Sequence, residues 1–377
     1  MSKTTVEIPY TELVERTMSI GRVNANAIEK VRGIIQDIYT RDIPTKHDWN
    51  FLIASSAITT FEEYKTGNVS INTGSRIASF STDAVMVDSM LGRKIKFSGN
   101  EVVYDVTSFM TATSLQILPP LNGPSNITNG SYTVYQPIYP LANDFDRFPK
   151  DGGVYKWTGG SKERLPEEPF QEYADNFTGN PGLPEKIRIV GTDTAGNYLI
   201  EFRPAPSQAR IYSYDYYRRL NPLVETTAGF VKGLSSKATA IVGQTSSRFV
   251  EVGTDTRAMT SLYFRVNVFG KSQDSEWFPV LNIASDSDMT LRVAFANTAV
   301  STSAGYTLCS APQIPNMLHP AVLYGSLAYI MADQNDPNAA IYLVRYAQVL
   351  SDAKRIFVSR TYTQDIHGIQ EEYEYRR

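Results

Sequence analysis

The sequence predicts an α+β fold, with helical segments at both ends of the chain and two small antiparallel β regions between them. Apolar residues recur at helical spacing near the amino end and again near the carboxyl end. Between these segments, short runs of β-branched and aromatic residues alternate with Gly, Asn, Ser and Pro, which is typical of strands and turns. A hydrophobic content of 42% is that of an ordinary globular protein.

The amino-terminal segment, residues 1–52, is predicted to be helical. Leu13, Val14 and Thr17 share one face of a first helix that ends before Gly21. The aromatic HDWNFL stretch at the end of the segment is expected to close the base of the helices. A second helix precedes this stretch, and its apolar face consists of Ala27, Val31, Ile34, Ile35 and Ile38.

Residues 53–140 are predicted to form a first β domain, a small antiparallel barrel or sandwich. The runs GRKIKFSG, VVYDVTSF, TSLQIL and GSYTVYQP have the period of two that strands require, and turn residues separate them. Residues 141–236 form a mixed loop and strand region. Within it, EKIRIVG, NYLIEFRPAP and RIYSYDYYRRL predict three successive antiparallel strands.

A second β domain is predicted at residues 237–312, and its pattern repeats that of the first. QTSSRFVEVGTD corresponds to NTGSRIASFSTD, LYFRVNVFGK to GRKIKFSGN, EWFPVLNIASDSDMTLRV to VVYDVTSFMTATSLQIL, and AGYTLCSAP to GSYTVYQP, in the same order. This agreement favours a duplication. The alternative is two unrelated β domains that use similar strands and turns.

Residues 313–358 predict a helical hairpin, and residues 359–377 an extended tail. Pro320 stands at a helix start, where its missing N–H costs nothing, and Asn335–Pro337 forms the turn between the two helices. The tail has no packing pattern. Small residues along the first helix offer positions of close approach: Ala321, Gly325, Ala328 and Ala332.

Composition excludes several classes of protein. The net charge of −3 argues against a generic basic nucleic-acid binder, and the single cysteine excludes an internal disulfide and a cysteine-rich metal site. The amino end lacks the apolar core of a signal peptide, and no apolar run approaches the ~18 residues needed to span a bilayer. We therefore expect a soluble protein that is made in a cytoplasm and does not associate with a membrane.

Catalytic chemistry has no support in the sequence. His47, His319 and His367 show no metal-binding spacing, so each is expected to be a surface or helix-capping residue. Cys309 has no motif around it and is expected to be structural. Phosphate-loop, dinucleotide-binding and nucleophile-elbow motifs are absent. No catalytic residue, metal site or cofactor is predicted, and the chain is not expected to be an enzyme.

Binding is less easily excluded. Tyr212, Tyr214 and Tyr216 fall on one face of a predicted strand and could stack on sugars or bases. An alternating strand with one face in the core produces the same stripe, and we favour that interpretation. A pair of carbohydrate-binding β modules remains an alternative for the two β domains.

The order of these parts resembles the head-to-tail adaptor (connector) proteins of tailed bacteriophages. The likeness covers about Leu13–Tyr139, Leu141–Leu223 and Asn316–Phe357, and the FRPAP…YYRRL block and the LYG…A…DP…A…Y hairpin carry most of it. The chain departs from simpler adaptors in its second β domain, which leaves its outer surface and the partners of that surface in question.

The resemblance implies that the terminal helices from both chain ends form one helical bundle, to which two small antiparallel β-barrel or sandwich domains are attached. It also implies a homo-oligomeric ring, dodecameric in this family, at the neck of the virion. The ring would bind the portal protein on one side and a tail or nozzle protein on the other. DNA would pass through its channel without sequence-specific binding, and a fibre or decoration protein would bind the β domains. The alternative within virions is a collar or tail-terminator protein.

The resemblance also suggests where partners bind. Contacts between subunits are expected on the helical hairpin, at Ala321, Gly325, Ala328, Ala332, Tyr324 and Arg345. The tail is expected to become ordered only on assembly and to bind the portal protein through Ile366, Ile369, Tyr373, Tyr375, Arg376 and Arg377.

Overall fold

The structure is a computed structural model that describes most of the chain. The described residues are 7–150, 152–158, 160–167, 180–226, 230–231, 240–242, 262–267, 276–285, 288–295 and 304–358. By contacts the chain divides into a central unit, Ile53–Arg218, and a terminal unit, which combines Met1–Leu52 with Arg219–Arg377.

The described helices are few, and most of them are short. The two longest adjoin each other near the carboxyl end, and a π-helical turn, Ile38–Asp42, joins the second helix to the third. Pro44 is tolerated because it stands in the first turn of its helix. The helices are α1 (Tyr10–Ile20), α2 (Ile28–Asp37), α3 (Ile43–Lys46), α4 (His319–Asp333) and α5 (Ala339–Phe357).

The structure is mostly β, with 39% strand and 27% helix. The predicted class, α+β with a bundle of terminal helices from both chain ends, is therefore wrong. Residues 141–236, predicted as mixed loop and strand, add further strands. The helices at the amino end are short, because Gly21 ends α1 after three turns, and they contain fewer residues than these strands.

The strands of the central unit form one barrel and two sheets. They are β1 (Ile53–Thr59), β2 (Val69–Ile71), β3 (Ile77–Phe80), β4 (Lys94–Phe97), β5 (Val103–Thr111), β6 (Ser114–Leu118), β7 (Ile127–Gly130), β8 (Tyr132–Tyr135), β9 (Ile138–Pro140), β10 (Phe145–Arg147), β11 (Val154–Thr158), β12 (Ser161–Leu165), β13 (Lys186–Thr192), β14 (Tyr198–Arg203) and β15 (Ile211–Arg218).

The first β domain of the structure is a small barrel, because the strands of its sheet surround one core. Its strand order is β7-β2-β3-β6-β5-β4-β8. β7 and β8 follow each other along the chain, and an antiparallel bridge joins Tyr64, ahead of β2, to Val134 of β8. Alternate residues such as Ile95, Phe97 and Tyr104 fill the interior, as the period of two requires.

The rest of the central unit consists of two sheets with an aromatic core. One has the order β1-β15-β11-β12, with β10 also on β15, and the other has the order β13-β14-β9. Because β1 pairs with β15, it lies outside the barrel, although its residues begin the first β domain predicted from the sequence. Tyr212, Tyr214 and Tyr216 are buried in the core beside Phe145 and Phe202, as the alternating strand predicts.

In the terminal unit the helices and a second sheet pack together. α5 packs along α4, which also contacts α1 and α2. The second sheet has the order β16-β22-β19-β20-β21-β18, with β17 also on β22. Its strands are β16 (Glu225–Thr226), β17 (Phe230–Val231), β18 (Ala240–Val242), β19 (Leu262–Asn267), β20 (Phe278–Ser285), β21 (Asp288–Leu291) and β22 (Ala304–Ser310).

The second sheet repeats the barrel pair by pair. The ladder β6-β5-β4-β8 has the same order as β21-β20-β19-β22. The pair Val106↔Ile117 corresponds to Val280↔Leu291, and both hairpins then shift register twice at matching positions. The pair Ile95↔Val134 likewise corresponds to Phe264↔Leu308. We propose that this agreement reflects a duplication.

The paired strands alter two details of the sequence alignment. The sheet begins at Glu225, ahead of the predicted domain start at residue 237. The strand that pairs like β3 is β18, at Ala240–Val242. The block QTSSRFVEVGTD, which the sequence aligned with β3, lies outside the described residues.

Charged pairs fix the second sheet to the helices of its own unit. The Arg265 guanidinium donates to both carboxylate oxygens of Glu15 on α1, at 2.6 and 3.1 Å, and lies 4.3 Å from the centre of the Trp277 ring. Arg32 on α2 donates to Glu225 at 3.1 Å. A bidentate pair of this kind sets orientation as well as attraction, so the sheet is held to the helices at defined points.

Candidate subunit interface

Helix α5 buries only a narrow stripe of its surface. Tyr346, Leu350 and Ala353 are its buried residues, and at about 100° per residue they occupy one side of the helix. α4 differs, because it is apolar and buried nearly all round. α5 therefore has a broad face that no described part of the chain covers.

The first turns of that face carry a cluster of apolar residues, which we call the α5 outer patch. It consists of Ala340, Ile341, Leu343, Val344 and Ala347, all exposed. Ile341 is 52%, Leu343 58% and Val344 66% exposed. Single exposed apolar residues are normal, whereas a contiguous group indicates a binding surface.

The small residues predicted as subunit contacts lie mostly inside the terminal unit. Ala321, Gly325 and Ala328 are buried. A Cβ on Gly325 would stand 3.0 Å from Ile38 and 3.3 Å from Tyr346. The close approach that the sequence indicated is therefore made within the subunit, by α2 and α5 against α4.

The remaining predicted contacts lie at the surface of the hairpin. Ala332 and Arg345 are exposed, and Tyr324 is half-buried. The Arg345 guanidinium lies 5.9 Å from the centre of the Tyr324 ring and 5.7 Å from that of Tyr342. These cation–π contacts hold the Arg345 side chain along the helix pair.

A surface groove lies between α4 and the end of α2 with the π-helical turn that follows it. Its volume is ≈ 350 Å³, and Tyr329, 61% exposed, forms one wall. The Tyr346 hydroxyl donates to Asp42, and burial together with that carboxylate raises the pKa of Tyr346. The bond anchors α5 to the turn. The groove is lined by Ile34, Asp37, Ile38, Arg41, Asp42, Thr45 and Tyr329.

An aromatic cluster fixes the far end of α5. Trp49 is fully buried, its indole N–H donates to the Ile43 carbonyl at 2.7 Å, and its ring stacks on Phe51. Phe51 meets Phe357 of α5 edge to face. Val358 then forms an antiparallel bridge with Trp49. The HDWNFL stretch thus closes the base of the helices.

The predicted portal contacts lie outside the described residues. They are Ile366, Ile369, Tyr373, Tyr375, Arg376 and Arg377, all in the tail that follows Val358. Their role stays a prediction.

His319 and Cys309 have structural surroundings, and His367 lies outside the described residues. His319 is buried rather than at the surface: its Nδ1 accepts from the Ile8 N–H at 2.9 Å. Burial raises the pKa of the Cys309 thiol to about 12, which makes it unreactive.

Among the described residues there is no group of three His, Cys, Asp or Glu that could hold a metal ion. No described helix is long and apolar enough to cross a membrane.

The α5 outer patch was not predicted from the sequence, because the subunit contact was expected at the small residues of the first hairpin helix. The spacing of the apolar residues in α5 could have indicated the patch. Ile341 and Val344 fall on the opposite side of a helical projection from Tyr346 and Leu350, so one buried stripe cannot hold all four. When a helix has more apolar residues than one face can bury, the remaining ones indicate a second contact surface.

No family model matches this chain, and none of the curated proteins matches it. The function is therefore argued from the residues and their contacts.

Proposed function

We propose that this chain is a structural virion protein, a head-to-tail adaptor that assembles into a ring between the portal and the tail of a bacteriophage. The order of sequence blocks described above supports the family, and the α5 outer patch supports self-assembly. The proposal does not depend on the predicted α+β class.

The α5 outer patch is the observation that carries ring formation. Ile341, Leu343 and Val344 each keep more than half of their surface exposed. Complete burial of such a side chain is worth about 1.5–3 kcal/mol, so covering the three would contribute roughly 3–5 kcal/mol per contact. Association costs offset part of this gain. Each subunit of a ring has two neighbours, so the gain recurs around it.

A second copy of the chain is the occupant that the surrounding charges favour. Lys354 and Arg355, in the last turns of α5, are exposed and basic. Exposed carboxylates of the opposite sign, Glu29 and Asp37, lie on α2, where each also pairs with an arginine of its own chain, Arg32 and Arg41. A contact between two different faces of the same chain is heterologous, and repeated contacts of this kind form a ring when the rotation between neighbours closes. Charge complementarity would set the register of neighbouring copies.

The proposed partners follow from the position in the virion. The portal protein would lie on one side of the ring and a tail or nozzle protein on the other, and a fibre or decoration protein would bind the β domains. A net charge of −3 suits a channel that DNA passes without sticking, because tight binding to DNA needs many Lys and Arg contacts with phosphates.

Val344→Asp tests the role of the patch. We expect the variant to remain monomeric at concentrations where the unchanged protein forms rings, because a buried unpaired carboxylate weakens each contact by about 2–3 kcal/mol, or roughly 100-fold in affinity. Native mass spectrometry and negative-stain electron microscopy would count the subunits. Val85→Asp is the matched control, since Val85 is 57% exposed on the first β domain.

Two results would contradict the proposal. If the unchanged protein stays monomeric at every concentration and in the presence of portal rings, it is not a ring-forming adaptor. If Val344→Asp and Val85→Asp both assemble normally, the ring does not use the α5 outer patch.

A further inference from the structure

Strand β1 is an edge strand that lacks the features by which proteins prevent an edge from pairing with another chain. One side pairs with β15 over all seven residues, from Ile53↔Tyr217 to Thr59↔Ile211, with no register shift. In the part of the chain that the structure describes, no strand pairs with the other side. Its sequence, IASSAIT, contains no charge, glycine or proline. Such an edge presents backbone N–H and C=O groups that another chain can bind.

The other sheet edges of the central unit differ from β1. β12 carries Lys162, Glu163 and Arg164 in a strand of five residues. β9 has only three residues and ends in Pro140. β13 has a register shift before Gly191. Charges, proline, short length and bulges are the means by which proteins prevent edge-to-edge pairing. β1 has none of them, which indicates that its edge is used.

We propose that β1 accepts a strand, and that the strand is the tail segment Arg360–Ile366 of a neighbouring copy of this chain. The inference rests on the proposed function, because a ring supplies a neighbour at a fixed position. Each copy donates one tail and accepts another, so the contact is heterologous and consistent with a closed ring. Main-chain hydrogen bonds provide the affinity, as in other cases of strand addition.

The geometry at the end of α5 favours the tail as donor. Val358 has φ −107° and ψ 125°, so the chain leaves the helix in extended conformation. Its bridge with Trp49 is antiparallel, so the last described residue of the chain already takes part in strand pairing. The tail that follows is the segment of this chain best placed to continue as a strand.

The length and composition of the tail also suit this role. Residues 359–377 exceed the seven residues that β1 can pair, and a seven-residue strand spans only about 23 Å. The sequence RTYTQDI has no glycine or proline and contains Thr361, Tyr362 and Thr363, which are strand-forming residues.

The exposed face of β1 is compatible with many neighbours. Ser55, Ala57 and Thr59 are small or β-branched and neutral. The Ser55 hydroxyl donates to Asp215 of β15 at 2.6 Å, so β1 is held firmly on its own sheet. Thr363 at the middle of the donor strand would lie opposite Ser56, and a Thr–Ser cross-strand pair stabilises a sheet.

Disulfide trapping between two full-length variants tests the contact. One carries Ser56→Cys and the other Thr363→Cys, because the middle residues of the two seven-residue strands lie opposite each other in either strand direction. Cys309 does not interfere because it is buried. We expect the mixed proteins to form a disulfide-linked pair on a non-reducing gel, at a yield at least about tenfold above that of the control mixture. The control pairs Thr363→Cys with Ser161→Cys, which lies in the charged edge strand β12.

Hydrogen exchange provides a second readout on the uncrosslinked protein. We expect the amides of β1 to become protected as the protein assembles, and to lose that protection in Thr363→Pro, which cannot donate its backbone N–H. Gln370→Pro is the control and should keep the protection. Equal cross-linking of the Ser56 and Ser161 variants, or unchanged β1 protection in Thr363→Pro, would overturn the inference.

Native mass spectra of the same samples separate this inference from the proposed function. Rings without the Ser56–Thr363 cross-link would support the adaptor and refute strand exchange. Cross-linked pairs without rings would support strand exchange between copies and refute the ring.

Discussion

His319 shows how a residue's surroundings can depend on distant parts of the chain. Nδ1 accepts the Ile8 N–H, and Nε2 lies 3.1 Å from the carbonyl oxygens of Pro312 and Ile314. The imidazole is therefore neutral, with its proton on Nε2. The sequence predicts a surface or cap histidine because Pro320 follows it. It could not show that residues more than 300 positions away cover the ring.

Burial lowers the pKa of His319 below its ordinary value of 6.5. In the unfolded chain the ring binds a proton below about pH 6.5, whereas in the folded chain it stays neutral to lower pH. The unfolded state thus binds more protons, and stability is lost as the pH falls below 6.5.

His319→Gln should reduce this pH dependence. Glutamine can accept and donate hydrogen bonds but does not titrate, so the loss of stability between about pH 7.5 and about pH 5.5 should be smaller in the variant. Urea unfolding at both pH values measures the difference. His47→Gln is the comparison: burial also lowers the pKa of His47, but His47 is only half-buried, so its replacement should reduce the pH dependence less. Equal pH dependence in His319→Gln and the unchanged protein would show that His319 does not cause the loss.

Among the elements, local spacing predicted α1 and the hairpin well. Leu13, Val14 and Thr17 predict a helix over Pro9–Ile20, and α1 occupies Tyr10–Ile20. The turn at Asn335–Pro337 separates α4 from α5, and Asn335 adopts φ 56°. Which face of α5 is covered could not be predicted, because that depends on how α4 packs on the remaining helices.

Two glycines on facing helices should respond in opposite directions to alanine. Nothing lies within 4 Å of a Cβ on Gly33 of α2, so Gly33→Ala should stabilise the protein by about 0.5–1 kcal/mol through helix propensity. Gly325→Ala on α4 should destabilise it by about 1 kcal/mol, because buried Ile38 and Tyr346 would have to move. Urea unfolding measures both, and equal stabilisation by the two changes would contradict the packing described.

At the scale of the whole molecule, composition and pattern located the β regions but not their balance with the helices. Strand runs of three or four residues, such as β9 and β10, carry too little periodicity to be recognised. Their partners are distant: β1 pairs with β15 across most of the central unit. The order of sequence blocks could suggest a repeat, but only the pairing establishes which strands correspond.

Assembly should depend little on salt if the α5 outer patch drives it. Raising ionic strength from about 0.1 M to about 1 M shortens the Debye length from about 10 Å to about 3 Å, which weakens exposed ion pairs but not apolar burial. We expect the fraction of subunits in rings, measured by analytical ultracentrifugation, to stay nearly constant. The control variant Val85→Asp should show the same small change in the fraction of subunits in rings. Dissociation at high salt would assign the contact to ion pairs instead.

The matching register shifts of β5–β6 and β20–β21 have a historical consequence. A regular ladder can arise twice, because any two alternating strands satisfy it. A bulge is an irregularity that strand pairing does not require, and both hairpins have two such irregularities at the same places. On the proposed duplication, these irregularities would be older than the duplication itself. In that case the common ancestor would already have carried both bulges. The two copies differ at the position where Arg265 binds Glu15 of α1, because Lys96 occupies the matching position in the barrel.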